Sequence, residues 1–144
     1  MAIYGIGAMF GRVNDVLEPF MEHNIASMDY TEGDAQPLRE LMKHIKPGDI
    51  IYAKSYSDQG KLTIKAVGIV TSNQVLTTHD LPVGVGTIGV RVRWIARTNI
   101  VFEHLNDYYN VRRITLYEEL NIEVQSRIIE WLIERFAPQN EHFA

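Results

Sequence analysis

At 144 residues and a net charge of -4, the chain has the size of one domain and can bury roughly 68–70% of the surface its unfolded form exposes. It has no cysteine, which excludes disulfides and thiolate metal sites and fits a reducing compartment. The start, MAIYGIGAMFGR, has no basic leader followed by an apolar run, and no run of about 18 apolar residues occurs. The expectation is a cytoplasmic protein with no membrane partner. Charge is unevenly spread: residues 54 to 115 hold eight Lys or Arg against four acids, while 1 to 53 and 116 to 144 each carry -4. That middle segment is either a solvated mixed surface or an anion-binding face.

In chain order, residues 2 to 8 are apolar and small and lead to Gly11, which predicts a strand ending in a glycine-containing loop. Asn14 is a good N-cap for a helix over 14 to 24, shortened or kinked by Pro19. Asp34 caps a second helix over 34 to 46, with Pro37 in its first turn and Leu38, Leu41, Met42 and Ile45 as its core stripe. Strands follow at about 49 to 55 and 61 to 71, joined by the turn SDQG, then at 86 to 97 and 99 to 103. Apolar residues occupy both parities of KLTIKAVGIVT, as in a strand covered on both faces: Leu62, Ile64 and Ala66 on one, Val67 and Ile69 on the other. RRITLYEEL predicts a short strand or turn, and Asn121 caps a last helix over 121 to 136. The tail, 137 to 144, is expected to fray. The fold class is therefore α+β, a small antiparallel barrel with three flanking helices, in a single domain over 1 to 144.

The order of IYGIGA, two helices, KPGDIIYAKS, IKAVGIVT and VRVRWI resembles the PUA-like superfamily, in particular its EVE and ASCH branches, over residues 3 to about 103. The chain is also similar to a group of small bacterial and phage proteins that share IYGIGA, GDIIYAKS and NVRRITLYEELN. Lys54 to Ser57, KSYS, is similar to a run near the base pocket of the YTH domain, whose aromatic cage has no residue-by-residue counterpart here. The resemblance implies a cleft between barrel and outer helices that recognises RNA, modified bases or small nucleotide-like ligands, commonly without catalysis.

The candidate ligand residues follow from strand ends and loops. Lys54, Ser55 and Tyr56 close a strand with a cation, a hydroxyl and a ring, the groups that hold an unpaired base, although the same residues also suit an ordinary hairpin end. Trp94 shares parity with Val90 and Val92 and is either core or a ligand wall. Arg91, Arg93 and Arg97 on the other parity are either a solvated exterior or phosphate contacts. Gly5, Gly7 and Gly11 do not form a GxGxxG fingerprint. The resemblance instead places Gly7, Ala8, Met9 and Phe10 at the cleft mouth and makes Tyr30 a third wall. The five histidines lack metal or catalytic spacing, so neither a cofactor, a metal nor catalytic residues are expected. The expected partner is a nucleotide-like small molecule, which in a phage protein could be a captured signal, or nucleic acid. The alternative is a protein–protein interaction module, homo-oligomeric, using Tyr108 and Tyr109 as its surface.

Overall fold

The computed structural model describes residues 1–11, 13–31, 33–105 and 110–137. The chain runs β1 (Ile3–Gly7), β2 (Met9–Phe10), β3 (Asn14–Asp15), α1 (Leu17–His23), β4 (Ile25–Met28), α2 (Gln36–His44), β5 (Ile50–Tyr56), β6 (Leu62–Val70), β7 (Leu76–Thr77), β8 (Ile88–Phe102), a 3₁₀ turn (Asn110–Arg113), β9 (Leu116–Glu118) and α3 (Ile122–Phe136). This is the expected α+β class with three helices. None of the described helices is long and apolar enough to cross a membrane.

Local chemistry sets the helix ends. Asn121 caps α3 as predicted, its Oδ1 accepting from the N–H groups of Glu123 at 2.8 Å and Val124 at 3.2 Å. α1 starts later than predicted, because Asn14 and Asp15 pair with Phe10 and Met9 as a two-stranded ribbon. Asp15 then accepts from Leu17 N at 3.0 Å, and Pro19 falls in the first turn, where its missing N–H costs nothing. α2 starts after Ala35, in the left-handed region at φ 52, while Asp34 accepts from the hydroxyl of Thr31.

The main sheet has the order β4-β8-β6-β5-β1-β9, with β7 also on β8. It is mixed, which corrects the antiparallel expectation: β1 and β5 run parallel, with Gly7 beside Lys54. The intervening 42 residues, 8 to 49, carry α1, β4 and α2 and are long enough for the crossover that a parallel pair requires. The path is open, ending in β4 and β9, and laid flat those ends would lie about 24 Å apart. Yet Tyr30, just beyond β4, and Thr115, just before β9, share a 2.7 Å hydrogen bond between their hydroxyls. The sheet is therefore curled into a half-barrel whose seam is pinned at this pair, and α2 packs across it against both β8 and β9.

Both faces are covered. Inside the curl, Phe20 of α1 stacks on Trp94 at 6.3 Å among Ile6, Ile51, Met28 and Met42. Outside, Tyr52, Ile64, Val67 and Tyr117 pack with Val124 and Ile128 of α3. Three register shifts break the simple alternation of side chains, one of them where Thr98 and Asn99 of β8 stand against Lys65 alone, between the pairs Ile64–Ile100 and Ala66–Arg97. Ala53 pairs with Ala66 and Lys54 with Ile64, so Lys65 is the extra residue on β6, and Val67 joins Leu62 and Ile64 in the outer core while Ala66 lies inside. On β8, Gly68 faces Trp94 and Val67 faces Ala96, leaving Ile95 as the extra residue.

Gly5 lies where the Tyr117 ring crosses β1: a Cβ there would stand 2.5 Å from Cζ and the hydroxyl. Tyr117 is buried and its hydroxyl bonds that of Tyr52 at 2.7 Å, so the ring has nowhere to retreat. Gly5→Ala is expected to cost about 1–3 kcal/mol by overpacking, read as a lower urea midpoint at unchanged slope.

Candidate functional site

The parallel register brings the ends of β1 and β5 together, and the antiparallel pairing of β1 with β9 adds the segment before β9, whose Thr115 carbonyl accepts from Gly7 N at 2.8 Å. Tyr30 reaches the same place across the seam. The result is a cleft of about 520 Å³. Its walls are Gly7, Ala8, Met9 and Gly11 on one side, Tyr30 and Thr115 at the seam, and Lys54, Ser55, Tyr56 and Arg113 opposite. Segments separated by more than 100 residues in sequence thus supply one concavity.

Its electrostatics come from two cations held differently. Lys54 Nζ donates to Arg112 O at 2.7 Å and stands 5.6 Å from the Tyr117 ring centroid. Burial disfavours its charged form and lowers its pKa to about 8. Arg113 is exposed, with its guanidinium carbon 5.7 Å from the Tyr56 ring centroid and Nη1 donating to Asp58 Oδ1 at 3.2 Å. Asp58 is 93% exposed at its side chain, and such a surface pair is weak enough for a ligand phosphate to displace.

The Lys54 shift has a consequence for stability. Below pH 8 the lysine is protonated both folded and unfolded; between pH 8 and 10.5 the unfolded chain holds more protons, so stability rises with pH there. Tyr52, raised well above 10.0 by burial, acts in the opposite sense once the unfolded phenol begins to ionise near pH 10. Urea unfolding is therefore expected to show Lys54's contribution growing from pH 8 to 10, and Lys54→Met is expected to remove that rise.

The structure places the other candidates elsewhere. Phe10 is buried, edge-on to Phe20 at 6.4 Å, and borders an adjoining pocket of about 100 Å³ with Asp29 and Tyr30. Trp94 is core and not a cleft wall: its Nε1 donates to Ile25 O at 2.8 Å. It faces Gly68, the partner of Ile51, four residues up β5 from Ser55, or about 13 Å along the strand. The three arginines do not form a row. Arg91 and Arg93 are exposed and border a depression of about 230 Å³ with Asn24, Thr71 and Val92. The bulge at Ile95 turns Arg97, opposite Ala66, to the Trp94 face, where it pairs with Glu18 of α1.

Tyr108 and Tyr109, offered as an interaction surface, and residues 138–144 lie outside the described residues. Arg113 and Thr115 are cleft residues that sequence reasoning missed. Two adjacent arginines just before a strand that pairs with β1 were the available signal, and it is usable only once that pairing is known. Among the described residues no three metal-capable side chains cluster. No family model matches the chain, and no curated protein matches it.

Proposed function

We propose that the chain binds, without chemical turnover, a planar anionic ligand of nucleotide type in the cleft at the seam. The observation that carries this reading is the convergence of two tyrosine rings, two cations and two hydroxyls on one concavity of about 520 Å³, a size typical of small-molecule sites. Tyr56 and Tyr30 offer faces for stacking, and Ser55 offers a hydroxyl to a base edge. Arg113 matches two phosphate oxygens at once and Lys54 supplies a second positive charge. The PUA-like resemblance of residues 3 to about 103 agrees with this reading, since such domains commonly hold bases.

Native mass spectrometry of the purified protein, followed by titration with mononucleotides and short oligonucleotides, tests it. A co-purified or added nucleotide should bind, and Arg113→Gln should weaken it. A salt slope growing with oligonucleotide length identifies nucleic acid as the ligand, and tight mononucleotide binding with little salt effect identifies a free nucleotide. No binding of either class at millimolar concentration would refute the proposal.

A further inference from the structure

A second cavity, of about 420 Å³, lies behind the Tyr30 wall and is lined by Thr31, Arg39, Thr77, Thr78, His79 and Thr87. The two cavities have no lining residue in common, but Tyr30 connects them. Tyr30 lines the cleft, while its carbonyl accepts from Arg39 Nη1 at 3.4 Å and from the Thr87 hydroxyl. Arg39 is half-buried on α2, and among the described residues that long hydrogen bond is its one polar contact and no carboxylate pairs with it. A guanidinium has five N–H donors, so four have no acceptor among the described residues. Two carboxylates stand at the rim, each already accepting from a lining threonine and neither pairing with Arg39. Asp80 accepts from Thr77 N at 2.9 Å and Thr77 Oγ1 at 3.1 Å, bonds that hold its carboxyl below the usual carboxylate range. Asp34 accepts from Thr31.

We infer that this second cavity is a phosphate subsite. A partly desolvated arginine whose donors are mostly unmatched among the described residues suits an acceptor-rich anion. The Thr78 hydroxyl and the His79 ring beside it provide further donors around a tetrahedral group, where a planar carboxylate would use only the arginine fork. The inference goes beyond the nucleotide reading of the first cleft and does not depend on it. Where both hold, a ligand carrying two phosphates, one at Arg113 and one at Arg39, lies across the Tyr30 segment.

The test is a titration of the whole chain with inorganic phosphate against chloride at constant ionic strength, followed by amide NMR shifts. Phosphate is expected to move Thr78, His79 and Thr87, with the affinity read at those residues reduced at least about tenfold in Arg39→Gln. The melting temperature of Arg39→Gln should match the parent, which excludes a folding artefact. Shifts absent at those residues, or equal in Arg39→Gln, overturn the subsite. A second titration compares a mononucleotide with a 5′-phosphorylated dinucleotide. A dinucleotide advantage lost in Arg39→Gln assigns the phosphate to the same ligand as the cleft. Phosphate shifts without that advantage assign it to a separate phosphate. The phosphate arm reads out even if no nucleotide binds, so failure of the subsite and failure of the cleft reading are distinguishable.

Discussion

Replacing Glu119 with alanine is expected to destabilise the fold by about 3–5 kcal/mol, where an ordinary domain has about 5–15 kcal/mol of stability. Glu119 and Arg112 are both fully buried, and the pair is bidentate: Arg112 Nε to Oε1 at 2.9 Å and Nη2 to Oε2 at 2.7 Å. Tyr52 adds a hydroxyl bond to Oε1 at 2.7 Å, and the backbone N–H of Asn121 reaches Oε2 at 3.1 Å. Removing the carboxylate leaves Arg112 charged and buried without this partner and strips the Tyr52 hydroxyl of an acceptor, so the cost is mainly the uncompensated charge. The double variant Arg112→Met/Glu119→Leu should be less destabilised than the sum of the single variants, because both singles pay for the same broken pair. Urea unfolding of the four proteins checks this, and additive losses would show that the pair is not coupled. The network also bears on function. The Arg112 carbonyl holds Lys54, and the next residue is Arg113, so both cations of the cleft are positioned by the turn this ion pair anchors. Folded molecules of the Glu119 variant should therefore also bind ligand more weakly.

The sequence made the helices and most strands legible because their signals are local: a cap at Asn121, a proline at the start of α2, the turn SDQG between β5 and β6. Of the segments expected at one cleft, Gly7 to Met9, Tyr30 and Lys54 to Tyr56 do border a common concavity, while Trp94 lies in the core. Part of what it hid comes from irregular strands. Bulges at Lys65 and Ile95 each insert a residue into a strand, and beyond each one every side chain changes face relative to a strict two-residue period. That is why Arg97 does not line up with Arg91 and Arg93 and why Ala66 parts from Ile64. A bulge depends on how two strands share hydrogen bonds, and neither strand alone encodes it. Arg113 and the Arg112–Glu119 pair were hidden for a related reason: their meaning depends on β9 returning beside β1 across the whole length of the chain.

The cleft reading stands or falls on its two rings. If Tyr56 stacks on a planar base, Tyr56→Ala is expected to weaken binding roughly 5- to 150-fold, the range in which base–aromatic stacking falls on alanine substitution. Tyr56→Phe should bind nearly as the parent does, because it keeps the face. Tyr30 separates two roles. Its ring borders the cleft while its hydroxyl closes the seam on Thr115 at 2.7 Å, so Tyr30→Phe removes the seam bond alone and Tyr30→Ala removes both. A loss in Tyr30→Ala that Tyr30→Phe does not share assigns the effect to stacking, whereas equal losses assign it to the closure of the half-barrel. The pH arm is independent of both: Lys54 loses its charge near pH 8, so affinity for an anionic ligand should fall as pH rises from 7 to 9, and Lys54→Met should bind more weakly with that dependence flattened. Ligand titrations of folded protein at both pH values measure all of this. Parental affinity in both alanine variants, with no pH dependence, would remove the cleft as the binding site and leave the curled sheet without an assigned ligand.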